Sequence, residues 1–378
     1  MKRKYILSFI IACMSMFFTG CEDAEYEVID NSIYISDAVT SKSATLTMEE
    51  EVVINVNVRL AKHVENDVEI AIKLNADLLD SYNKANDTEF YSVPDFKLPE
   101  DAKVIIPAGE ISAVYSFSIK DFNTEGKQYA LGVELGEVLA GDVNKSVSQS
   151  KFIYLISKPL KVSVPVLNGL SGKITMAPES NWEISTNEWS LEFWSRMSGY
   201  NRNNQAVFST GSKDHEIYIR FGDANKPYNY LQIKTLGGQV QTASDLKAGQ
   251  WYHWAFVYDG TSLTIYRNGQ QDVKFNPPTP KGGAVRFDYM KMISSGSYFV
   301  DQCAMSQVRL WKTAISQTQI ENNMFFSVNP SNSDLIGYWP MDAGEGNAFM
   351  DITGNGHDGT ADEGVVAGWE HNIRFDQQ

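Results

Sequence analysis

The chain has 378 residues, a formal net charge of −15 at pH 7, and 43% hydrophobic against 21% charged residues. That composition supplies cores for two ordinary domains and excludes a largely disordered chain. The acidic balance excludes nucleic acid as a partner, because gripping a phosphate backbone requires a basic patch.

Residues 1–20 read as a leader rather than as part of a fold. "MKRK" is basic, and "YILSFIIACMSMFF" is apolar but short for a bilayer span. In "FTGC", Thr19 and Gly20 directly before Cys21 resemble a bacterial lipobox, with Phe18 where such motifs usually carry Leu. The resemblance implies cleavage before Cys21 and acylation of its thiol; an ordinary cleaved signal peptide is the alternative. "EDAEYE" then resembles the acidic export signal of Bacteroidota surface lipoproteins. Residues 21–31 are therefore expected to form an acidic tether. The protein is expected to be lipid-anchored in the outer membrane through Cys21, facing the exterior, beside an outer-membrane transporter complex. Cys13 lies in the leader, which leaves Cys303 alone in the folded part, so no disulfide is available there. Set in the strand-like "FVDQCAMSQVRLW", Cys303 is expected to be a buried, inert thiol.

From 32 to 156 the pattern is one of short strands. "VVINVNVRL" and "DVEIAIKL" alternate apolar and polar residues, the mark of strands with one buried face. "VIIPAGEISAVYSFSI" reads as strand, turn, strand. "NADLLDSYNKANDTEF" breaks the rhythm and predicts a short helix over Asp77 to Lys84, capped by Asn75 or Asp77. The ordered elements "LNADLLDSYNKANDTEFYSVPDFKLP", "IIPAGE" and "YALGVELGEV" resemble the N-terminal domain of unknown function recurrent in Bacteroides glycan-utilisation lipoproteins. An Ig-like β-sandwich serving as a spacer is the resulting expectation. The residues themselves offer no metal spacing and no phosphate loop.

Residues 157–162, within the proline-bearing "SKPLKVSVPVLNG", read as the linker to a second all-β domain over 163–373. "KTAISQTQIENNMFF" alone looks helical there, for one or two turns. In "WYHWAFVYDGTSLTIYRNGQ", Tyr252, Trp254, Phe256 and Tyr258 alternate against Trp251, His253, Ala255 and Val257. Both faces are largely apolar, so the stretch predicts a strand covered on both sides, with His253 a satisfied core residue. The signature "W.H.A..YDG..L.IY.NG" resembles concanavalin A-like laminin-G and pentraxin-type domains. So do "SLEFWSRMSG", "QVRLWKTAISQTQI" and "LIGYWPMDAGEGNAFMDITGNGHDGT". The resemblance implies a jelly-roll sandwich with these aromatics in its core.

Function must then lie on what alternates outward. "EIYIRF" and "YLQIKT", joined by "GDANKPYN", predict an antiparallel hairpin. Its outer face would carry Tyr218, Arg220, Tyr230, Gln232 and Lys234, with Tyr228 at the tip. Planar rings among amides and charges suit a sugar, which offers C–H patches and hydroxyls; a solvated sheet face uses the same residues. The "GYNRNNQ" loop over 199–205 is a second place to look. Some domains of this type bind Ca²⁺, and Asp214, Asp223 and Asp301 are the candidates for it here, followed by Asp351, Asn355 and Asp358. An Asx turn is the simpler reading of "DITGNG". The alternating E-x-D-x-x-E carboxylates of concanavalin-type glycosidases are missing, as are HExxH and G-x-S-x-G. The resemblance and the lipoprotein-like leader together imply non-catalytic binding of a polysaccharide or glycoprotein glycan, which the residues permit; a concanavalin-type glycoside hydrolase and an adhesin for a host protein are the alternatives.

Overall fold

The computed structural model describes residues 31–377 except 87, 125, 180–181, 212–215, 244 and 279–283. The leader, Cys21 and the tether up to residue 30 fall outside these residues, as does Asp214. The described chain is almost all strand, folded as two successive sandwiches.

The first sandwich packs a four-stranded sheet on a six-stranded one. Strand Glu51–Leu60 shows why. Val52, Ile54, Val56, Val58 and Leu60 all point into the core, while the residues between them face outward. Three pairings are parallel: Ser32–Ile35 with Asn144–Lys145, Ser43–Thr47 with Lys151–Ser157, and Phe90–Ser92 with Gln128–Ala130. The expected helix runs from Ala76 to Asn86, and Asn75 caps it by accepting the Leu78 N–H at 3.2 Å.

The second domain starts slightly earlier than 163. Strand Lys161–Asn168 already belongs to its sheet, so the connection shrinks to the residues between Ser157 and Lys161. The packed chain also runs past 373, because Phe375 is buried against Trp194 and Trp251. Two eight-stranded sheets enclose one large core. In the first, Tyr252–Tyr258, Trp189–Met197 and Gln302–Trp311 lie side by side. Tyr252, Trp254, Phe256 and Tyr258 fill the sandwich core, while Ala255 and Val257 pack under the helix Gln317–Asn323 and the strand Leu335–Trp339. Each such large side chain, fully buried, contributes about 1.5–3 kcal/mol. The aromatic stretch is therefore core on both faces, and the helical segment over 312–334 covers this sheet from outside.

His253 is buried but not satisfied. Its Nδ1 has no hydrogen-bond partner, and its Nε2 stands 3.7 Å from Glu192 Oε2. Desolvation, with Arg309 nearby, lowers its pKa to about 3, so the ring is neutral. Cys303 is fully buried, and burial pushes its thiol far above the usual range, as expected of an inert residue.

The second sheet runs Gly238–Gln241, Leu231–Thr235, Ile217–Phe221, Gln205–Thr210, Met290–Met292, Ile174–Met176, Gly359–Ala361 and Ala348–Phe349. Its inner face feeds the core with Ile217, Ile219, Phe221, Leu231, Ile233, Met290 and Met292. Its outer face carries the residues considered next.

Candidate functional site

The hairpin forms as expected. Ile217–Phe221 pairs antiparallel with Leu231–Thr235, placing Tyr218 opposite Lys234 and Arg220 opposite Gln232. These two pairs behave differently. Tyr218 and Lys234 belong to a row that crosses the whole outer face. Successive register partners are Gln239, Lys234, Tyr218, Ser209, Lys291, Thr175 and Thr360. Six inter-strand steps of about 4.8 Å give this polar and aromatic line a length of about 29 Å. Beside its centre lies a depression of about 450 Å³ bordered by Tyr218, Tyr289, Ser209, Lys291, Glu216 and Ser294. The Lys291 ammonium stands 4.9 Å from the Tyr289 ring centre and 2.8 Å from Glu179.

Arg220 and Gln232 are spent on each other and their neighbours. Arg220 donates from Nε and Nη2 to Gln232 Oε1, from Nη1 to Asn204 Oδ1, and from Nη2 to Asp223 Oδ1, at 2.7–3.0 Å. Gln232 Nε2 donates to Asp223 Oδ2 at 3.0 Å, and the Tyr218 hydroxyl donates to Asn204 Oδ1 at 3.0 Å. Gln232 is covered, and Arg220 keeps only 11% of its side chain exposed. This corrects the expectation of an open polar face there. Arg220 and Tyr218 share Asn204 Oδ1, so the network ties the Tyr218 hydroxyl in place, as pre-organised binding surfaces require. Tyr230 is likewise not outward: it is 8% exposed, and its hydroxyl accepts the Asp223 N–H at 3.0 Å. Tyr228 stands at the hairpin tip beside Lys226.

Among the described residues the calcium candidates do not converge. Among the described residues, no group of three or more His, Cys, Asp or Glu side chains is arranged to hold a metal ion. Asp223 has both oxygens occupied by Gln232 and Arg220, which hold its carboxyl below the usual range. Asp301 accepts from the backbone and side-chain nitrogens of Asn201 and from Gln205 Nε2, so it ties down the 199–205 loop. Asp351 Oδ1 accepts from the Tyr338 and Thr353 N–H groups and the Thr353 hydroxyl, while Asp358 accepts the Asp351 N–H. Asn355 donates to the Leu335 and Ile336 carbonyls. "DITGNG" is thus an Asx turn that laces a loop to a strand.

Residues 168–321 match the family model of the concanavalin A-like lectin/glucanase superfamily, and residues 29–139 match a separate N-terminal-domain model. The C-terminal domain is a concanavalin A-like sandwich. No curated protein sequence matches the chain at a significant level. Among solved structures, an assigned carbohydrate-binding protein from Bacteroides ovatus aligns at 17% identity and TM-score 0.64, over 90% of this chain and 97% of its own. At that identity the likeness shows the shared two-domain fold. A heptameric SAP-like pentraxin from Limulus polyphemus aligns at 13% identity and TM-score 0.38, over 57% of this chain and 96% of its own. EndoBT-3987 of Bacteroides thetaiotamicron, solved with a Man5GlcNAc product, aligns at 22% identity and TM-score 0.29, over 33% of this chain and 30% of its own.

Within the lectin/glucanase-type domain, sequence reasoning missed Ser209, Tyr289, Lys291 and Thr175. Lys291 stands alone between Met290 and Met292 in a three-residue strand, too short for alternation to register. "MKM" does nonetheless carry the in-out-in signal in miniature.

Proposed function

We propose that the chain binds glycan without cleaving it, through the outer face of the sheet that carries Lys234, Tyr218, Ser209, Lys291 and Thr175. The row itself is the observation that supports this most. It places an aromatic ring and a chain of hydroxyl and ammonium donors in one line long enough for several sugar units, on a pre-tied scaffold. On the other sheet the 312–334 segment covers Ala255, Val257 and Trp311, and Phe375 packs on Trp194 and Trp251.

The acids near the row argue for binding without hydrolysis. A glycosidase needs a carboxylic acid with a raised pKa opposite a second carboxylate. Glu179 is the reverse, held below its ordinary range by the hydrogen bond from Lys291 and by both neighbouring lysines. Glu192 and Asp342 are the carboxyls that burial does raise among the described residues, and neither borders this depression.

In the wider setting, the protein is a lipid-anchored surface member of a polysaccharide or glycoprotein-glycan utilisation system. It holds substrate near an outer-membrane transporter. The lipobox-like "FTGC" ending in Cys21 and the acidic "EDAEYE" support that setting. The test is affinity electrophoresis of the chain from residue 22 in gels containing single polysaccharides, with reducing-sugar release assayed in parallel. Retardation without sugar release is expected, and Tyr218→Ala should weaken it about tenfold, near 1.4 kcal/mol. Sugar release would overturn the non-catalytic reading, and silence across the gels would shift the case to a protein partner.

A further inference from the structure

The seam between the two sandwiches holds a cleft of two joined lobes. One, of about 390 Å³, is lined by the rings of Tyr82, Phe90 and Phe326. The other, of about 350 Å³, is lined by Tyr91, Trp311, Asn329, Asn332 and Glu192. Gln128 from the N-terminal domain and Asn322 from the C-terminal domain border both lobes, forming the waist between them. Ligand pockets favour domain seams, and each lobe falls in the usual size range for small-molecule sites, roughly 300–1,000 Å³.

Glu192 lines the amide-rich lobe from below. Glu192 is 1% exposed, and its Oε1 accepts the Trp311 indole N–H at 2.9 Å. Its Oε2 has no hydrogen-bond partner. That oxygen stands 3.7 Å from His253 Nε2, so the carboxyl lies between the buried ring and the lobe it lines. Tyr91, 38% exposed, offers a ring at the lobe's rim. Glu89, Glu192 and Glu321 outnumber Lys127 and Lys158 among the lining residues, so nothing selects an anion.

We propose that this interdomain cleft is a second saccharide site. It takes an oligosaccharide of at least two units, one with an apolar ring face on the aromatic lobe and one with hydroxyls on the amide lobe. Two lobes joined at a waist fit a linked chain better than a single sugar. The proposal rests on the glycan-binding reading for its ligand class only, and it uses none of the outer-face residues.

The test is calorimetric titration of the chain from residue 22 with disaccharides and hexasaccharides of mannose, xylose, glucose and arabinose. Asn322→Trp fills the waist from an exposed helix position, Tyr91→Ala removes the rim ring, and Lys291→Ala perturbs the outer face. Thermal melts check that each variant is folded, and Tyr91→Ala carries the test if Asn322→Trp is not. A hexasaccharide is expected to bind at two sites per chain. Asn322→Trp should remove one of them, and Tyr91→Ala should weaken that same site roughly tenfold. Lys291→Ala should affect only the other. Retention of all binding by Lys291→Ala together with its loss in Asn322→Trp would overturn the outer-face reading and leave the cleft standing. One site per chain, unchanged in both cleft variants, would overturn the cleft. No binding by any of these sugars would overturn it as well.

Discussion

Gly126 sits where the two domains touch, and replacing it with alanine should wedge them apart. Its φ is +72°, and a Cβ there would lie 2.2 Å from the Val328 carbonyl oxygen and 2.6 Å from the Asn329 nitrogen. All the overlapping atoms are backbone, so no side chain can swing away. Two costs then add. A left-handed non-glycine residue costs about 1–2 kcal/mol, and overpacking typically adds about 1–3 kcal/mol. Gly249 supplies the control, since its φ is +78° and nothing lies within 4 Å of its Cβ position. Gly249→Ala should therefore show the conformational cost alone. At about 2–4 °C per kcal/mol for a domain of this size, Gly126→Ala should melt at least ~2 °C below Gly249→Ala. Hydrogen exchange should rise selectively across 324–332, because opening the seam is the cheapest relief. Equal melting temperatures and unchanged exchange in that segment would refute the account of a close-packed seam. The Leu160 N–H to Phe325 carbonyl bond at 2.8 Å ties the connecting segment to the second domain, and the Arg374–Glu49 pair at 3.1 Å links the two domains elsewhere.

The buried His253 predicts a pH dependence. Its folded pKa of about 3 lies below its ordinary value of 6.5, so below pH 6.5 the unfolded chain binds the extra proton. Its contribution to stability is full above pH 6.5 and is lost as pH falls towards 3. Glu192 acts oppositely: burial raises its pKa, so its contribution is lost as pH rises above the ordinary 4.5. His253→Gln should flatten the acid limb of a melting-temperature profile between pH 6 and 4 relative to the unsubstituted protein, and an unchanged limb would contradict this. Arg220→Lys cannot reproduce the fork that holds Asn204, Gln232 and Asp223, so glycan affinity should fall severalfold while the melting temperature drops by a few degrees. Equal affinity in titrations would show that the scaffold does not position Tyr218. Ser316 and Gln319 form a capping box on the helix Gln317–Asn323. Ser316→Ala should therefore cost about 0.5–2 kcal/mol in denaturant unfolding, and a loss below that range would contradict it.

The sandwich architecture was legible because strand alternation records burial directly. Ile217, Ile219 and Phe221 had to share a face, and the aromatic alternation from Tyr252 to Tyr258 had to be covered twice. The hairpin register followed from the same rule. What alternation cannot report is how outward residues use one another. Arg220 and Gln232 alternate outward like Tyr218, but they close a network with Asp223 and Asn204 that is distant in the chain from no single motif. The row through Ser209 and Lys291 was invisible for another reason: it joins strands from 175 to 360 that only the sheet order brings together. His253 was read correctly as core and wrongly as satisfied, because the sequence places it beside Trp251 and Trp254 and says nothing of Glu192 and Arg309 on neighbouring strands.

The most direct measurement is a crystal structure of the chain from residue 22 soaked with an oligosaccharide that retards it in gels. The account predicts intact sugar rings lying along Lys234, Tyr218, Ser209 and Lys291, with one ring stacked on Tyr218 or Tyr289. Sugar bound only elsewhere on the molecule, or density for a cleaved product, would contradict it.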